Sequence, residues 1–209
     1  MSKYHKIQTI FKRDPKTKHK TLLEGEYSLP EFEYLKDNEW IFTEKVDGTN
    51  IRIIFDGENV TFGGRTDRSQ IPADLVNVLN DTFNPLQEKL KEKFVDGCVL
   101  YGEGYGAKIQ KAGAYYRPDP GFVLFDVKVG NYWLREHDII NISEYLDLDI
   151  VPIVDRGTLS DMVKLTKEGF NSQWGNFLAE GIVARPSTEL KSRNGNRIIT
   201  KLKYKDFIC

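Results

Sequence analysis

Eight short segments rich in β-branched and aromatic residues dominate this chain, at 39–46, 50–56, 58–62, 97–103, 121–129, 149–154, 180–185 and 197–203. Helical spacing recurs only irregularly between them. Residues 72–93 carry Leu75, Val76, Leu79, Phe83, Leu86 and Leu90 at helical intervals, with Pro85 dividing the stretch in two. Residues 137–146 and 158–168 are the other helical candidates, the second opened by Thr158 or Ser160 as a cap. Strands without strict strand–helix alternation argue against a doubly wound parallel sheet and for an α+β fold of mostly antiparallel sheets flanked by helices. The first three strands, separated by Asp47-Gly48 and Asp56-Gly57, read as an antiparallel meander.

A length of 209 residues predicts one catalytic-sized domain with little room for two full cores, and no repeat, low-complexity tract or linker marks a boundary. The expectation is a single domain over 1–209, with residues 1–38 a basic extension packed on it. A composition of 40% hydrophobic and 29% charged residues excludes a disordered chain. No stretch is long and apolar enough for a membrane span, and the N-terminal segment lacks the apolar run of a secretory signal. Cys98 and Cys209 can make neither a disulfide framework nor a zinc site, which points to a reducing, cytoplasmic setting.

The net charge of -1 does not announce a polyanion-binding protein, but its distribution is uneven. Residues 1–20 and residues 185–205 each hold seven lysines and arginines against one acid, and the intervening residues 21–184 sum to -12. The basic ends are either solvated faces or, if the fold unites them, one composite surface for phosphates.

The sharpest local feature is Glu44-Lys45-Val46-Asp47-Gly48-Thr49-Asn50, running from a strand end through a turn into the next strand. A lysine followed so closely by Asp and Gly arises by chance roughly 4% of the time in a chain this long, and Asp47-Gly48 alone reads equally well as a type I′ hairpin. Further short motifs follow in order, each at a strand: Phe62-Gly63-Gly64-Arg65-Thr66, Leu100-Tyr101-Gly102-Glu103-Gly104, Phe122-Val123-Leu124-Phe125-Asp126-Val127, Ala179-Glu180-Gly181-Ile182-Val183-Ala184-Arg185-Pro186 and Thr200-Lys201-Leu202-Lys203-Tyr204-Lys205. In this order the sequence resembles the covalent nucleotidyltransferases, the superfamily of ATP-dependent polynucleotide ligases and mRNA capping enzymes, over about residues 40–205. Within it the chain looks most like the RNA ligase 2 type, the group of phage RNA ligases and kinetoplastid RNA-editing ligases. Three details carry that likeness. Asn50 stands five residues after Lys45, where DNA ligases and capping enzymes usually have Arg. Arg65 lies twenty residues after Lys45, and Gly106-Ala107-Lys108-Ile109-Gln110-Lys111 is similar to the segment after motif III in that group. The ending Lys201-Leu202-Lys203-Tyr204-Lys205-Asp206-Phe207 is close to the group's motif V.

The resemblance implies a nucleotidyltransferase (ATP-grasp-like) domain, here without a C-terminal OB-fold, and a covalent enzyme–AMP intermediate on Lys45. A lysine phosphoramidate suits such transfer because its P–N bond is readily broken again. A nucleophilic lysine must be neutral, and nearby cations favour that state, a task implied for Lys201, Lys203 and a bound Mg²⁺ or Mn²⁺. By the same resemblance Glu103 takes ribose hydroxyls, Glu180 and Glu103 help hold the metal, and Glu44 belongs to the nucleotide site. Asn50 and Arg65 are assigned to the α-phosphate and ribose or to the 5′-phosphate of the acceptor strand, for which Arg offers a planar fork. Phe122 is the position that stacks on adenine, with Val183 closing the other face of the base and Phe125 turned into the core. Outside the resemblance, period-two lysines such as Lys201 and Lys203 read as the solvent face of an edge strand, and Phe122 as a core aromatic. His5, His19 and His137 lie outside every motif.

The implied activity is that of an ATP-dependent RNA ligase joining a 5′-phosphate to a 3′-hydroxyl. A minimal ATP-dependent DNA ligase is the nearest alternative, and a GTP-using capping enzyme is disfavoured. A non-catalytic module binding nucleic-acid ends is the reading from a different class. Family members commonly carry a further domain after motif V, so a separate protein supplying that grip on RNA is among the expected partners, with the basic N-terminal segment contributing part of it.

Overall fold

The computed structural model describes residues 3–208; Met1, Ser2 and Cys209, and with Cys209 the expectation of a second reduced thiol, lie outside the described residues. Where length predicts a single core, the described chain packs around two. A central unit holds Asp47–Val151 with the first described residues through Tyr4, and a flanking unit holds His5–Val46 and the chain from Pro152 onward. The elements in chain order are β1 (Gln8–Thr9), β2 (Phe11–Arg13), β3 (Leu22–Tyr27), α1 (Pro30–Tyr34) and β4 (Trp40–Glu44). The central unit follows with β5 (Thr49–Phe55), β6 (Val60–Gly64), α2 (Ala73–Phe83), α3 (Gln87–Lys93), β7 (Cys98–Tyr105), α4 (Gly113–Tyr116), β8 (Gly121–Val129), β9 (Tyr132–Trp133) and α5 (Glu136–Leu146). The flanking unit resumes with β10 (Ile153–Gly157), α6 (Leu159–Glu168), β11 (Gly181–Pro186) and β12 (Thr200–Lys203). No described helix is long and apolar enough to cross a membrane.

The flanking sheet has the order β1-β12-β11-β4-β10, antiparallel except for the parallel pair β1–β12. Alternation along β4 puts Trp40 and Phe42 on one face, where they meet Ile182, Ala184 and Leu202 and are covered by Leu159 and Met162 of α6. The bulky indole of Trp40 is fully buried and keeps its one donor satisfied on the Leu35 carbonyl at 2.9 Å. Thr158 caps α6 as the sequence predicts: its backbone N–H donates to Asp161 Oδ2 at 2.8 Å while its hydroxyl accepts from the Asp161 N–H at 3.3 Å. Thr158→Ala should therefore cost about 1 kcal/mol of stability, read from denaturant unfolding at unchanged slope.

The central sheet has the order β6-β5-β7-β8-β9 and is antiparallel throughout. Its Ile51, Ile53, Leu100, Phe122 and Leu124 pack under Leu75, Leu79 and Phe83 of α2 and Ile139 and Ile142 of α5. On the opposite face the Tyr4 ring packs against Tyr101, Phe125 and Trp133 at centroid distances of 5.1, 5.2 and 5.6 Å, and its hydroxyl donates to Asp126. Cys98 is buried in β7, which pushes its thiol up to about 12 and leaves it a small apolar side chain rather than a nucleophile.

Two expectations about chain path are corrected. The segment 39–62 is not a meander, because β4 pairs with β10 and β11 while β5 pairs with β6 and β7, in different sheets. A type I′ turn needs positive φ at both central residues, and neither Asp47 nor Gly48 has it. Gly48 instead lies so close to β7 that a Cβ there would collide with the Gly104 carbonyl and come within 2.6 Å of Glu103 Cγ. Asp56-Gly57 does turn the chain between β5 and β6, with Gly57 at φ +104°. Strands β1 and β2 and helix α1 escape sequence reading because they are too short to show a period, and β3, Leu22-Leu23-Glu24-Gly25-Glu26-Tyr27, because it has no apolar alternation.

Candidate active site

Lys45 follows directly on β4, and its backbone N–H donates to the Gly181 carbonyl at 2.9 Å. Register then places the rest of the cluster. Lys203 lies opposite Gly181 and Lys201 opposite Val183, with Thr43 on the other side of Val183. Alternation puts Thr43, Lys45, Val183, Lys201 and Lys203 on the face of the flanking sheet turned away from the α6-covered core. Gly181 makes the crowding possible, since a Cβ there would run into the Leu202 carbonyl.

Glu180 joins the two lysines. Its Oε2 accepts from Lys45 Nζ at 2.5 Å and its Oε1 from Lys203 Nζ at 2.5 Å. The three side chains are 14%, 19% and 23% exposed for Glu180, Lys45 and Lys203, so solvent screens these contacts only weakly. Burial would raise the Glu180 carboxyl, but the Lys45 charge and the bonds from both lysines outweigh it and hold the group below its ordinary value. A carboxylate so stabilised is a weak base; its work is to orient the two ammonium groups.

Glu44 does not share that face. It has the parity of Phe42, is 2% exposed, and turns its side chain inward, where Oε2 accepts from the Gln173 N–H at 2.9 Å. Burial raises its carboxyl above the ordinary value, against the lowering effect of bonds from Gln173 and Ser172. The expected nucleotide contact through this side chain is therefore corrected: Glu44 pins the 172–173 loop that leads to Glu180.

In the central unit, Asn50 lies directly opposite Glu103, and Arg65 extends β6 beyond Gly64, the partner of Ile51. Asn50, Arg65 and Glu103 thus fall on the face away from α2. The Asn50 Oδ1 is buried with no hydrogen-bond partner among the described residues. Phe122 is on the other face. It is 7% exposed, stands edge-on to Phe83 at 5.3 Å and covers Gly102. The expected adenine platform is thereby corrected to a core aromatic, and Phe125, expected in the core, lies against Tyr4 on the opposite face. Register decides this: Phe122 lies opposite Gly104 and Leu124 opposite Gly102 on the α2 side, and Phe125, three residues after Phe122, falls on the other face, where a β-bulge leaves it the extra residue before Asp126 pairs with Tyr101.

One residue of this face was not singled out by its motifs. Arg52, two residues after Asn50, has a side chain 2% exposed; Nε donates to the Gly64 carbonyl at 2.8 Å and Nη2 to Asp67 Oδ1 at 2.8 Å. Arg65 lies between those two anchors. The bond from Arg52 also holds the Asp67 carboxyl below its ordinary value. An arginine inside the apolar run Ile51 to Phe55 was the available sequence signal.

Apart from Lys3, which belongs to the central unit and pairs with Asp67 at 3.9 Å, both basic ends lie in the flanking unit, with β1 paired to β12, but their charges are partly committed within the protein. Arg13 pairs with Asp206, Lys12 with Glu26, Arg197 with Glu189 and Lys203 with Glu180. Lys6, Lys16, Lys18, Lys20, Lys191, Arg193 and Lys205 are exposed. No cluster of three or more His, Cys, Asp or Glu side chains that could hold a metal occurs among the described residues.

A sequence model of the RNA ligase family matches residues 38–203, which takes in Lys45, Glu180 and Lys203. The chain belongs to the RNA ligase family. Solved structures of the Naegleria gruberi RNA ligase share the fold of this family member. A variant of that ligase with ATP and Mn superposes with a TM-score of 0.69 at 16% identity, over 97% of this chain and 56% of that one. Another variant with AMP and Mn gives the same TM-score, identity and coverage. The same ligase with PPi gives 0.64 at 17% identity, over 97% of this chain and 58% of that one. This RNA ligase family chain thus spans a little over half the length of the Naegleria chains.

Proposed function

We propose that the protein is an ATP-dependent RNA ligase of the RNA ligase 2 type, working through a lysyl-AMP intermediate on Lys45. The observation that carries this reading is the Glu180 carboxylate held between Lys45 and Lys203, 2.5 Å from each. A nucleophile oriented by a carboxylate, beside a second cation that can take up negative charge, is what in-line displacement at phosphorus requires. Lys45 Nζ first gives up a proton to solvent and leaves its ion pair with Glu180; the free amine then attacks the α-phosphorus, the P–N bond forms, and the bond from the α-phosphorus to the pyrophosphate oxygen breaks. AMP then passes to an RNA 5′-phosphate, and a 3′-hydroxyl displaces AMP to form the phosphodiester. Lys201 and Lys203 neutralise charge building on the phosphate oxygens, and Val183 closes one face of the base. Asn50, with its unpartnered buried Oδ1, and Glu103 beside it supply acceptors for hydroxyls. Arg65, anchored on both sides by Arg52, contributes the phosphate fork.

Both Glu180 oxygens bind lysine, and no three-carboxylate cluster exists among the described residues, so a resident metal cage does not fit. The residues do fit a Mg²⁺ or Mn²⁺ ion that arrives with the nucleotide phosphates, held by Glu180 or Glu103, since magnesium commonly takes one or two carboxylates plus phosphate oxygens. Such an ion would supply charge neutralisation on the triphosphate. The exposed lysines and arginines of the two basic ends form the RNA-contacting surface in this reading, further contacts come from a separate protein, and the setting is cytoplasmic.

The test is transfer of label from α-labelled ATP to the purified protein with Mg²⁺, beside α-labelled GTP. Labelling by ATP alone is the expected result. No labelling, even after pyrophosphate treatment to strip pre-bound AMP, would leave the module that binds nucleic-acid ends as the better reading; sealing of nicked DNA in preference to RNA would favour a DNA ligase.

A further inference from the structure

Arg13 enters the flanking unit on β2, remote in sequence from every motif, and ends on Asp206. Its Nη2 lies 2.8 Å from Asp206 Oδ1, the acid 3% and the arginine 30% exposed. Its Nη1 reaches the His19 and Lys20 carbonyls at 3.4 Å, which ties it to the loop before β3. The second Asp206 oxygen accepts from the Lys203 backbone N–H at 3.1 Å. Lys203 holds Glu180, and Glu180 holds Lys45. These contacts make one unbroken line from Arg13 to Lys45, all within the flanking unit.

We propose that Arg13 and Asp206 form a positioning pair for Lys203. Lys203, opposite Gly181, is the last residue of β12; the Tyr204 N–H still donates to the Glu180 carbonyl at 3.0 Å, and a short 3-10 turn, Tyr204–Asp206, begins there. A long lysine side chain at a strand end needs its Cα held if its ammonium is to stay on one carboxylate oxygen. Asp206 adds to that hold through the Lys203 N–H, and a carboxylate so deeply buried is costly to leave without a cation beside it. Arg13 is that cation. The pair touches neither nucleotide nor reacting atoms and acts through Lys203 alone. It gives part of the basic N-terminal segment a task in nucleotide chemistry rather than in gripping RNA. The proposal rests on the adenylyl-transfer reading of Lys45, and its test separates the two.

Single-turnover transfer from α-labelled ATP is measured on the full chain for Arg13→Gln, Arg13→Lys and Asp206→Asn, each alone and combined with Lys203→Ala, beside thermal melting. Arg13→Gln is expected to slow transfer about tenfold in the wild-type background and less than about twofold once Lys203 is alanine, because residues acting through one contact are not additive. Arg13→Lys restores part of the rate. Equal losses in both backgrounds, or losses that follow melting temperature alone, would overturn the proposal. If the wild type takes no label, the functional reading has failed and the pair is judged by reductive methylation of lysine amines, read by mass spectrometry. Several-fold faster methylation of Lys203 in Arg13→Gln, with exposed Lys16 as reference, supports the pair; an unchanged rate refutes it. Should Arg13→Gln not fold, Arg13→Lys and Asp206→Asn carry the same comparisons.

Discussion

Lys45→Ala should take no label from ATP at any concentration, while keeping the fold and the ability to seal RNA already carrying a 5′-adenylyl group. The first part follows from chemistry: with the amine gone, no other lysine sits on Glu180 Oε2 to make the bond. Retention of the fold follows because Glu180 keeps Lys203 on its other oxygen, so the carboxylate is not left buried without a cation. Sealing of pre-adenylylated RNA survives because that last displacement needs the other groups but not the nucleophile. Lys45→Arg sharpens the test. It preserves a cation against Glu180, yet a guanidinium stays charged and cannot attack phosphorus at neutral pH. It should melt close to the wild type and remain unlabelled. Label appearing on either variant, with mapping to another lysine, would remove Lys45 from the mechanism.

Glu180→Gln is expected to lower label transfer by at least about a hundredfold and to cost about 3 kcal/mol of stability, since it leaves two mostly buried ammonium groups facing a neutral amide. The pH dependence distinguishes this from a loss of packing. Glu180 is held below its ordinary value of 4.5 by Lys45 and Lys203, which outweigh burial. Its contribution to stability is therefore complete above that ordinary value and is lost as pH falls through the lower value of the folded state. The wild type should lose this increment on acidification below about 4.5; Glu180→Gln should lack it, so the two stability curves converge as pH falls. Curves that stay parallel would mean that the lysines do not depend on this carboxylate.

What the sequence discloses and what it conceals follow one rule. Order along the chain is legible wherever local pattern and global contacts agree. Trp40 to Glu44, Ile51 to Phe55 and Ile182 to Ala184 alternate as the sheets require, and Pro85 separates α2 from α3 where a helix cannot continue. The motif order names Lys45, Glu180 and Lys203, but it gives Glu180 to the metal; the carboxylate between the two lysines emerges only from the register of β11 on β12. The failures fall where phase or path depends on residues far away. The register of β8 on β7 sets the faces of Phe122 and Phe125 opposite to the expectation, and nothing in the run Gly121 to Val127 marks it. Asp47-Gly48 has the composition of a hairpin turn, yet its backbone is committed to a close approach on β7. Glu44 lies next to the nucleophile in sequence and on the opposite face in space, as strand alternation demands. Arg13 and Asp206 stand 193 positions apart, so no local signal could join them.

The strand order of the flanking sheet also sets a timetable for biosynthesis. Apart from its first residues the central unit is one continuous stretch, Asp47–Val151, and can begin to collapse while the ribosome is still extending the chain. The flanking sheet cannot do so. β12, the last strand of this sheet in chain order, is inserted between β11 and β1, the first of this sheet in chain order. Until it emerges, Glu180 lacks Lys203 and the edge of β1 has no partner. The nascent chain therefore carries its nucleophile without the second lysine beside it until β12 has been made, and acquires an ordered reactive centre only when that strand joins β1 to the rest of the sheet.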